Sequence, residues 1–220
     1  MQCSICHNNP VIYQPYSGQH LCREHLIASV DARVKRDIRR HHGLQSHDHI
    51  GVVQDGNLSG KTLLFFLANL TRDRKDIWIS EIRADAAIPA GAGLTKLAIA
   101  TTLEDAATSV LASVLRGRPG LEVVPERAED RPALPVIVPF GHIPAEEIIL
   151  YGRLHGIYGE VASAPQGSDP FLSDVRSVLA DYSGRHPATF HAVLNLGESL
   201  AACGETEQLK MFMHQPKRDH

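Results

Sequence analysis

The chain has 220 residues, 43% hydrophobic and 21% charged, a globular balance that excludes wholesale disorder. Its formal charge of -3 excludes a blanket attraction for nucleic acid, so any such contact has to come from a local patch. No apolar run reaches the roughly 18 residues of a membrane span and the N-terminus lacks a signal-peptide pattern, so a cytoplasmic protein with no membrane partner is expected.

Three of the four cysteines fall within the first 22 residues, and Cys203 stands apart. "CSIC" supplies Cys3 and Cys6, and "CREH" supplies Cys22 and His25. Two residues between ligands let a tight knuckle aim both side chains at one metal, and the 15 residues between knuckles suit a hairpin. The β-formers of "VIYQPYSGQH", followed by Ser17-Gly18, predict that hairpin. Three thiolates and one imidazole fill a tetrahedral shell and leave no position for substrate. The expectation is a structural Zn2+ in a zinc-ribbon or LIM-like module over residues 1–30, with metal binding contributing on the order of 10 kcal/mol to its folding.

A basic helix and linker follow over residues 31–47. Leu26, Ile27, Val30, Val34 and Ile38 recur at helical spacing, while Arg33, Lys35, Arg36, Arg39 and Arg40 crowd the remaining surface. Two readings stand: a contact to a phosphate backbone, or a solvated face laced by pairs such as Asp31–Lys35. The histidines of "HHGLQSHDH" follow no metal-ligand spacing and read as a polar joint.

Residues 48–142 alternate strand and helix signals. "HIGVV" (49–53) reads as a buried strand, followed by a glycine-rich turn and an apolar helix. Further strands are expected at 76–82, 96–101 and 135–140, with a helix over "EDAATSVLASVLRG" capped by Gly117. The pattern predicts a parallel α/β sheet with ligands beyond the strand C-termini. Residues 143–203 read as a helical C-terminal part, its helices opened by Pro144 and by Asp169-Pro170. The tail, 204–220, shows no periodicity and is expected to be mobile.

The stretch "DGNLSGKTLLFFL" (55–67) holds the candidate nucleotide-binding residues Ser59, Gly60, Lys61 and Thr62. Against the Walker pattern GxxxxGK[ST], Asp55 replaces the first Gly and sets a carboxylate beside the phosphate cradle. An independent ATPase would use this loop with Glu81 or Asp85 on magnesium; a ligand-free strand-to-helix turn explains the residues equally well.

Taken together, "CSIC…SGQHLCREH" and "RVKRDIRR" closely resemble the N-terminal zinc module of the tRNA 2-thiouridine synthetases of TtuA type. These are relatives of the tRNA 2-thiocytidine synthetases in the PP-loop superfamily. "TTLEDAATSVLASVLRG" is similar to the family's GHNLDDEAQTVLMNLLRG, and "PFGHIPAEEIILYGRLHGI" to its PLREIPEKEVALYAxLNGI. "FLSDVRSVLADYSGRHPATFHAVLNL" is similar to its closing segment, so the resemblance runs along nearly the whole chain in order. It implies an adenine nucleotide alpha hydrolase-like PP-loop domain, and an ATP-dependent tRNA sulfurtransferase activity that uses an iron–sulfur cluster on cysteines. It also implies tRNA contacts at the basic helix and at Arg116, and a nucleotide role for Asp105.

The chain departs from that pattern where the chemistry lies. The family's SGGKDS aligns with residues 58–63, where Gly60 and Lys61 remain but Ser59 replaces a Gly that close approach to pyrophosphate requires. Glu104-Asp105 keep the paired carboxylates. The family's Cys-Pro becomes Ala164-Pro165, and its CxxC partners have no thiol counterpart in "RADAAIPAGAGLTK". Alanine cannot replace a thiolate ligand. The expectation is a zinc-binding, tRNA-associated protein with a degraded ATP loop, doubtful ATP·Mg2+ binding, no iron–sulfur cluster and no catalytic residues. It would work as a homodimer or in complex with a catalytic paralogue. The alternatives are a regulatory, non-catalytic partner of a tRNA-modifying enzyme and the independent ATPase.

Overall fold

The computed structural model describes residues 1–40, 43–84, 93–117, 134–161 and 169–213, with side chains described up to residue 203. The chain opens on a hairpin, Ile12–Gln14 (β1) against Gln19–Leu21 (β2), antiparallel with Ile12 opposite Leu21. Gly18 closes the turn at φ 68°, where a Cβ would be strained, and its amide donates to the Gln14 carbonyl at 2.8 Å. Helix α1, Arg23–Arg40, begins right after Cys22 and buries Leu26, Val30, Val34 and Ile38 as one stripe.

The main sheet is parallel throughout, built from β3 (His49–Gln54), β4 (Trp78–Arg83), β5 (Lys96–Ala98) and β6 (Val136–Ile137) in the order β4-β3-β5-β6. The chain leaves β3 toward one edge and β5 toward the other, so the order reverses between them. That reversal opens a crevice beyond the strand C-termini, where α/β sheets take ligands. Helix α2, Leu58–Leu70, follows β3 and helix α3, Leu103–Leu115, follows β5, so both helix N-termini flank the crevice.

The remaining helices are α4 (Ala145–Leu154), α5 (Pro170–Arg185) and α6 (Thr189–Met213). Helix α4 packs on α1 and α2, whereas α3 packs on α5 and α6. Gly152 of α4 lets the first of these contacts close: a Cβ there would lie 2.5 Å from the Thr62 hydroxyl. Ile12 and Leu21 of the hairpin, the α1 stripe, Ile50 and Val52 of β3, and Phe66, Phe140 and Tyr151 form one buried cluster. The cysteine-rich module therefore shares its core with the α/β body.

The expected α/β class with an N-terminal module and helical C-terminal part is the observed architecture. The element ends differ. β5 stops at Ala98 because Thr102 caps the next helix, accepting from the Asp105 amide. β6 has only two residues before Pro139. Helix α6 continues past residue 203 to Met213, while residues 214–220 lie outside the described residues, as do Asp85 and Ala164-Pro165. No helix among the described residues is long and apolar enough to cross a membrane.

Candidate metal centre, glycine loop and basic helix

The hairpin and the first turn of α1 bring Cys3, Cys6, Cys22 and His25 together, with their four ligand atoms all within 4.8 Å of one another. The Cys3 amide donates to the Asn8 carbonyl at 3.0 Å and the Ser4 amide to the His20 carbonyl at 2.7 Å, which folds the first knuckle against the hairpin. Cys6 Sγ lies 3.7 Å from Cys22 Sγ, Cys3 Sγ 3.5 Å from His25 Nδ1, and Cys22 Sγ 3.2 Å from the same nitrogen. A tetrahedral zinc with Zn–S near 2.3 Å and Zn–N near 2.05 Å requires edges of about 3.8 Å between sulfurs and about 3.6 Å between sulfur and nitrogen. The donors fit zinc in number, kind and separation, and would hold it as a structural ion with no open position. Burial pushes the Cys3 thiol up, yet the amides of Ile5, Cys22 and Cys6 outweigh it and bring it to about 6. For Cys6 the Asn8 amide favours the thiolate, but burial and the thiols of Cys22 and Cys3 push its pKa up. A bound cation would offset the burial and the charge repulsion that disfavour neighbouring thiolates.

The glycine loop leads from β3 into α2, and the amides of Asn57, Leu58, Gly60 and Lys61 are engaged within the chain. Asn57 caps the helix, its Oδ1 accepting from the Gly60 amide at 2.7 Å. The Leu58 amide donates to the Glu160 carbonyl at 2.7 Å, where Asn57 and Glu160 form a parallel bridge. The carboxylate of Asp55 accepts from the Asn57 side chain at 2.6 Å and from its amide at 3.2 Å, so it holds the cap in place. Gln54 Nε2 donates to the Gly60 carbonyl at 2.8 Å. Thr62 is fully buried, its hydroxyl donating back to the Leu58 carbonyl at 2.8 Å beneath Gly152. Ser59 is half-buried, and Lys61 is exposed with no partner among the described residues.

The paired carboxylates at the start of α3 are likewise engaged. Glu104 accepts from the Ala145 amide at 2.9 Å and so caps α4, with burial pushing its pKa up. Asp105 completes a capping box with Thr102 and meets Arg176 of α5 at 2.7 Å. Arg116 pairs with Asp169 and lies over the Phe171 ring at 4.7 Å, tying the end of α3 to the start of α5.

The basic helix divides by face. Arg33 is buried to 17% exposure against Glu147 of α4 at 2%. Tyr16 at the hairpin tip donates to Glu147 at 2.6 Å and accepts from Arg33 at 3.0 Å. Burial pushes the Tyr16 hydroxyl well above its ordinary range. Lys35 lies 3.6 Å from Asp31, the surface pair that the sequence offers as an alternative. Arg36, Arg39 and Arg40 are exposed and pair with no carboxylate among the described residues.

Sequence reasoning gave no role in the site to Asn57, Glu160, Arg176, Tyr16 or Glu147, the last being read only as a first-turn acid of its helix. Asn57 alone carried a local signal, an Asn immediately before an apolar helical run. The others act across more than 70 residues of chain, and no local pattern marks such partners.

Three comparisons converge on this arrangement. Residues 2–27 match the model of the 2-thiouridine synthetase TtuA N-terminal LIM domain. The tRNA 2-thiolation protein NcsA of Haloferax volcanii is 19% identical over 289 residues, covering 91% of this chain and 87% of that protein. The U34-tRNA thiolase NcsA of Methanococcus maripaludis, solved with its 4Fe–4S cluster, superposes with a TM-score of 0.73 at 14% identity, over 92% of this chain and 88% of that one. Through its LIM-type module, its sequence and its fold, the chain is a relative of the TtuA- and NcsA-type tRNA 2-thiolation proteins of the PP-loop superfamily.

Proposed function

We propose that this chain is a zinc-stabilised, tRNA-associated protein that takes part in tRNA modification as a non-catalytic partner, without ATP or an iron–sulfur cluster of its own. The observation that supports this most is the closed glycine loop. A pyrophosphate binds a helix N-terminus through free amides. Here the Leu58 amide is held by Glu160 and the Gly60 amide by Asn57, with the Asp55 carboxylate alongside. Triphosphate entry would have to break these bonds and bring phosphate against a carboxylate.

The donor inventory supports the same reading. Outside the zinc set the chain has only Cys203, and a 4Fe–4S cluster held by thiolates needs more than one. A homodimer would repeat the deficit, so sulfur chemistry would require a catalytic paralogue that carries the missing cysteines. Arg36, Arg39 and Arg40 support tRNA association, because these three exposed cations on the last turns of α1 have no carboxylate partner among the described residues. Arg33 and Arg116 leave the set of RNA contacts in this reading, since both are engaged with carboxylates of the chain.

A salt-dependent binding assay with unfractionated tRNA tests the association. Reversing Arg36, Arg39 and Arg40 to Glu should abolish measurable binding and flatten the dependence on salt. Wild-type protein that shows no tRNA affinity at about 50 mM salt would overturn the reading.

A further inference from the structure

The four residues Arg33, Arg36, Asp37 and Arg40 recur at three- and four-residue intervals, so they share one stripe of α1. That stripe forms a wall of a cavity of about 150 Å³, completed by Tyr16, His142 and His191. At roughly 30 Å³ per water this space holds about five waters, enough for a tetrahedral oxyanion. Arg33 in the cavity wall is neutralised by Glu147. Asp37 also lines the cavity, and its carboxylate faces His142 Nδ1 at 3.0 Å, while Glu198 of α6 faces His142 Nε2 at 2.9 Å. These contacts are close enough for ion pairing though poorly aligned as hydrogen bonds. Asp37 is thereby answered within the chain.

Two observations are left over. Arg36 and Arg40, four residues apart on the same face, stand at the cavity rim without a carboxylate partner among the described residues, an arrangement of like charges that destabilises a helix unless an anion answers it. His191 lines the same cavity with a buried Nδ1 that has no hydrogen-bond partner among the described residues. A buried polar atom without a partner is uncommon in folded chains, and a bound water or ion is one way its bonding is completed. Burial, together with the charges of Arg33 and His142, lowers the His191 pKa, which keeps this ring neutral and able to donate one N–H.

We infer that this cavity is a phosphate pocket, in which Arg36 and Arg40 grip one phosphodiester of an RNA backbone and His191 Nδ1 completes the contact. The inference rests on the proposed tRNA association and narrows it: the cations of α1 are not equivalent. Arg36 and Arg40 converge on a built cavity, whereas Lys35 and Arg39, on the neighbouring stripe, provide diffuse attraction only. Arginine suits the role because its planar fork meets phosphate oxygens two at a time.

The test uses the full zinc-loaded chain and two double variants of equal charge change. Arg36→Gln with Arg40→Gln removes the pocket pair, and Lys35→Gln with Arg39→Gln removes the neighbouring pair. Zinc content and thermal unfolding verify that each variant is folded, and the His191 ring resonance is followed by NMR while inorganic phosphate is added. The pocket variant should lose about tenfold or more in tRNA affinity and flatten the salt slope by about one to two units, with the neighbouring variant losing less than about threefold. Inorganic phosphate should shift the His191 resonance in wild type and in the neighbouring variant, and leave it unmoved in the pocket variant. Equal losses in both variants would overturn the pocket and leave tRNA association standing. A phosphate response without any tRNA binding by wild type would overturn the RNA source. No response to either probe would overturn both readings.

Discussion

Lys96 lies inside an apolar strand signal, "KLAIA", and the structure shows why a cation is tolerated there. Its Nζ reaches Asp48 Oδ2 at 2.6 Å and the Gly43 carbonyl at 3.2 Å, with both side chains about 5% exposed. Burial pushes the Asp48 carboxyl up, but the Lys96 hydrogen bond, the Gln45 amide and Thr95 outweigh it and hold it below the ordinary carboxylate range. Breaking one side of a buried pair strands the other charge. Lys96→Met should therefore destabilise the fold by about 3–5 kcal/mol in urea unfolding, and adding Asp48→Asn should restore most of the loss. A single variant within about 1 kcal/mol of wild type would show that the pair is wetter than its burial indicates. Arg33 follows the same physics, buried at the hairpin tip against Glu147 and Tyr16.

Among the elements, α6 is fastened to the rest of the fold by His142 as well as by apolar packing. His142 sits between Asp37 of α1 and Glu198 of α6, with Arg40 and His191 as the other titratable or charged neighbours. Asp37 raises its pKa most, burial opposes, and Glu198 adds to the rise. A histidine whose folded pKa exceeds its unfolded value of about 6.5 stabilises the fold fully below that value. The contribution is then lost as the pH rises through the folded pKa. The stability gap between wild type and His142→Gln should thus be widest near pH 6 and shrink toward pH 8.5, as read by urea unfolding at each pH. A gap that does not change with pH would show that the imidazole acts by packing alone. What sequence could reveal about these elements follows from range. Helical spacing in α1, the β-rich run of β3 and the paired knuckles are local patterns, and they were legible. Partner choice was not, because Glu198 meets His142, Arg176 meets Asp105 and Glu160 meets Asn57 only through the fold. The candidate nucleotide residues were thus legible as types, while the bonds that engage them were not.

At the level of the whole molecule, one core joins the metal module to the sheet. Ile12 and Leu21 lie in the same buried cluster as Ile50 and Phe140, so a zinc ion held by Cys3, Cys6, Cys22 and His25 would steady α1 and with it the basic surface. The fold superposes on a thiolase over most of its length, while the crevice at the sheet's reversal point is lined by self-capped helix ends. The relatives' architecture persists in this chain, and the proposed role needs the surface of α1 rather than the crevice. The central claim, a tRNA-associated protein whose glycine loop no longer takes nucleotide, is tested most directly by calorimetry. ATP with magnesium is titrated into zinc-loaded protein already shown to bind tRNA, alongside Lys61→Ala. The account predicts no saturable heat for either protein up to about 1 mM ATP, the weak end of nucleotide affinities at about -4 kcal/mol. Saturable heat in wild type that disappears in Lys61→Ala would contradict it.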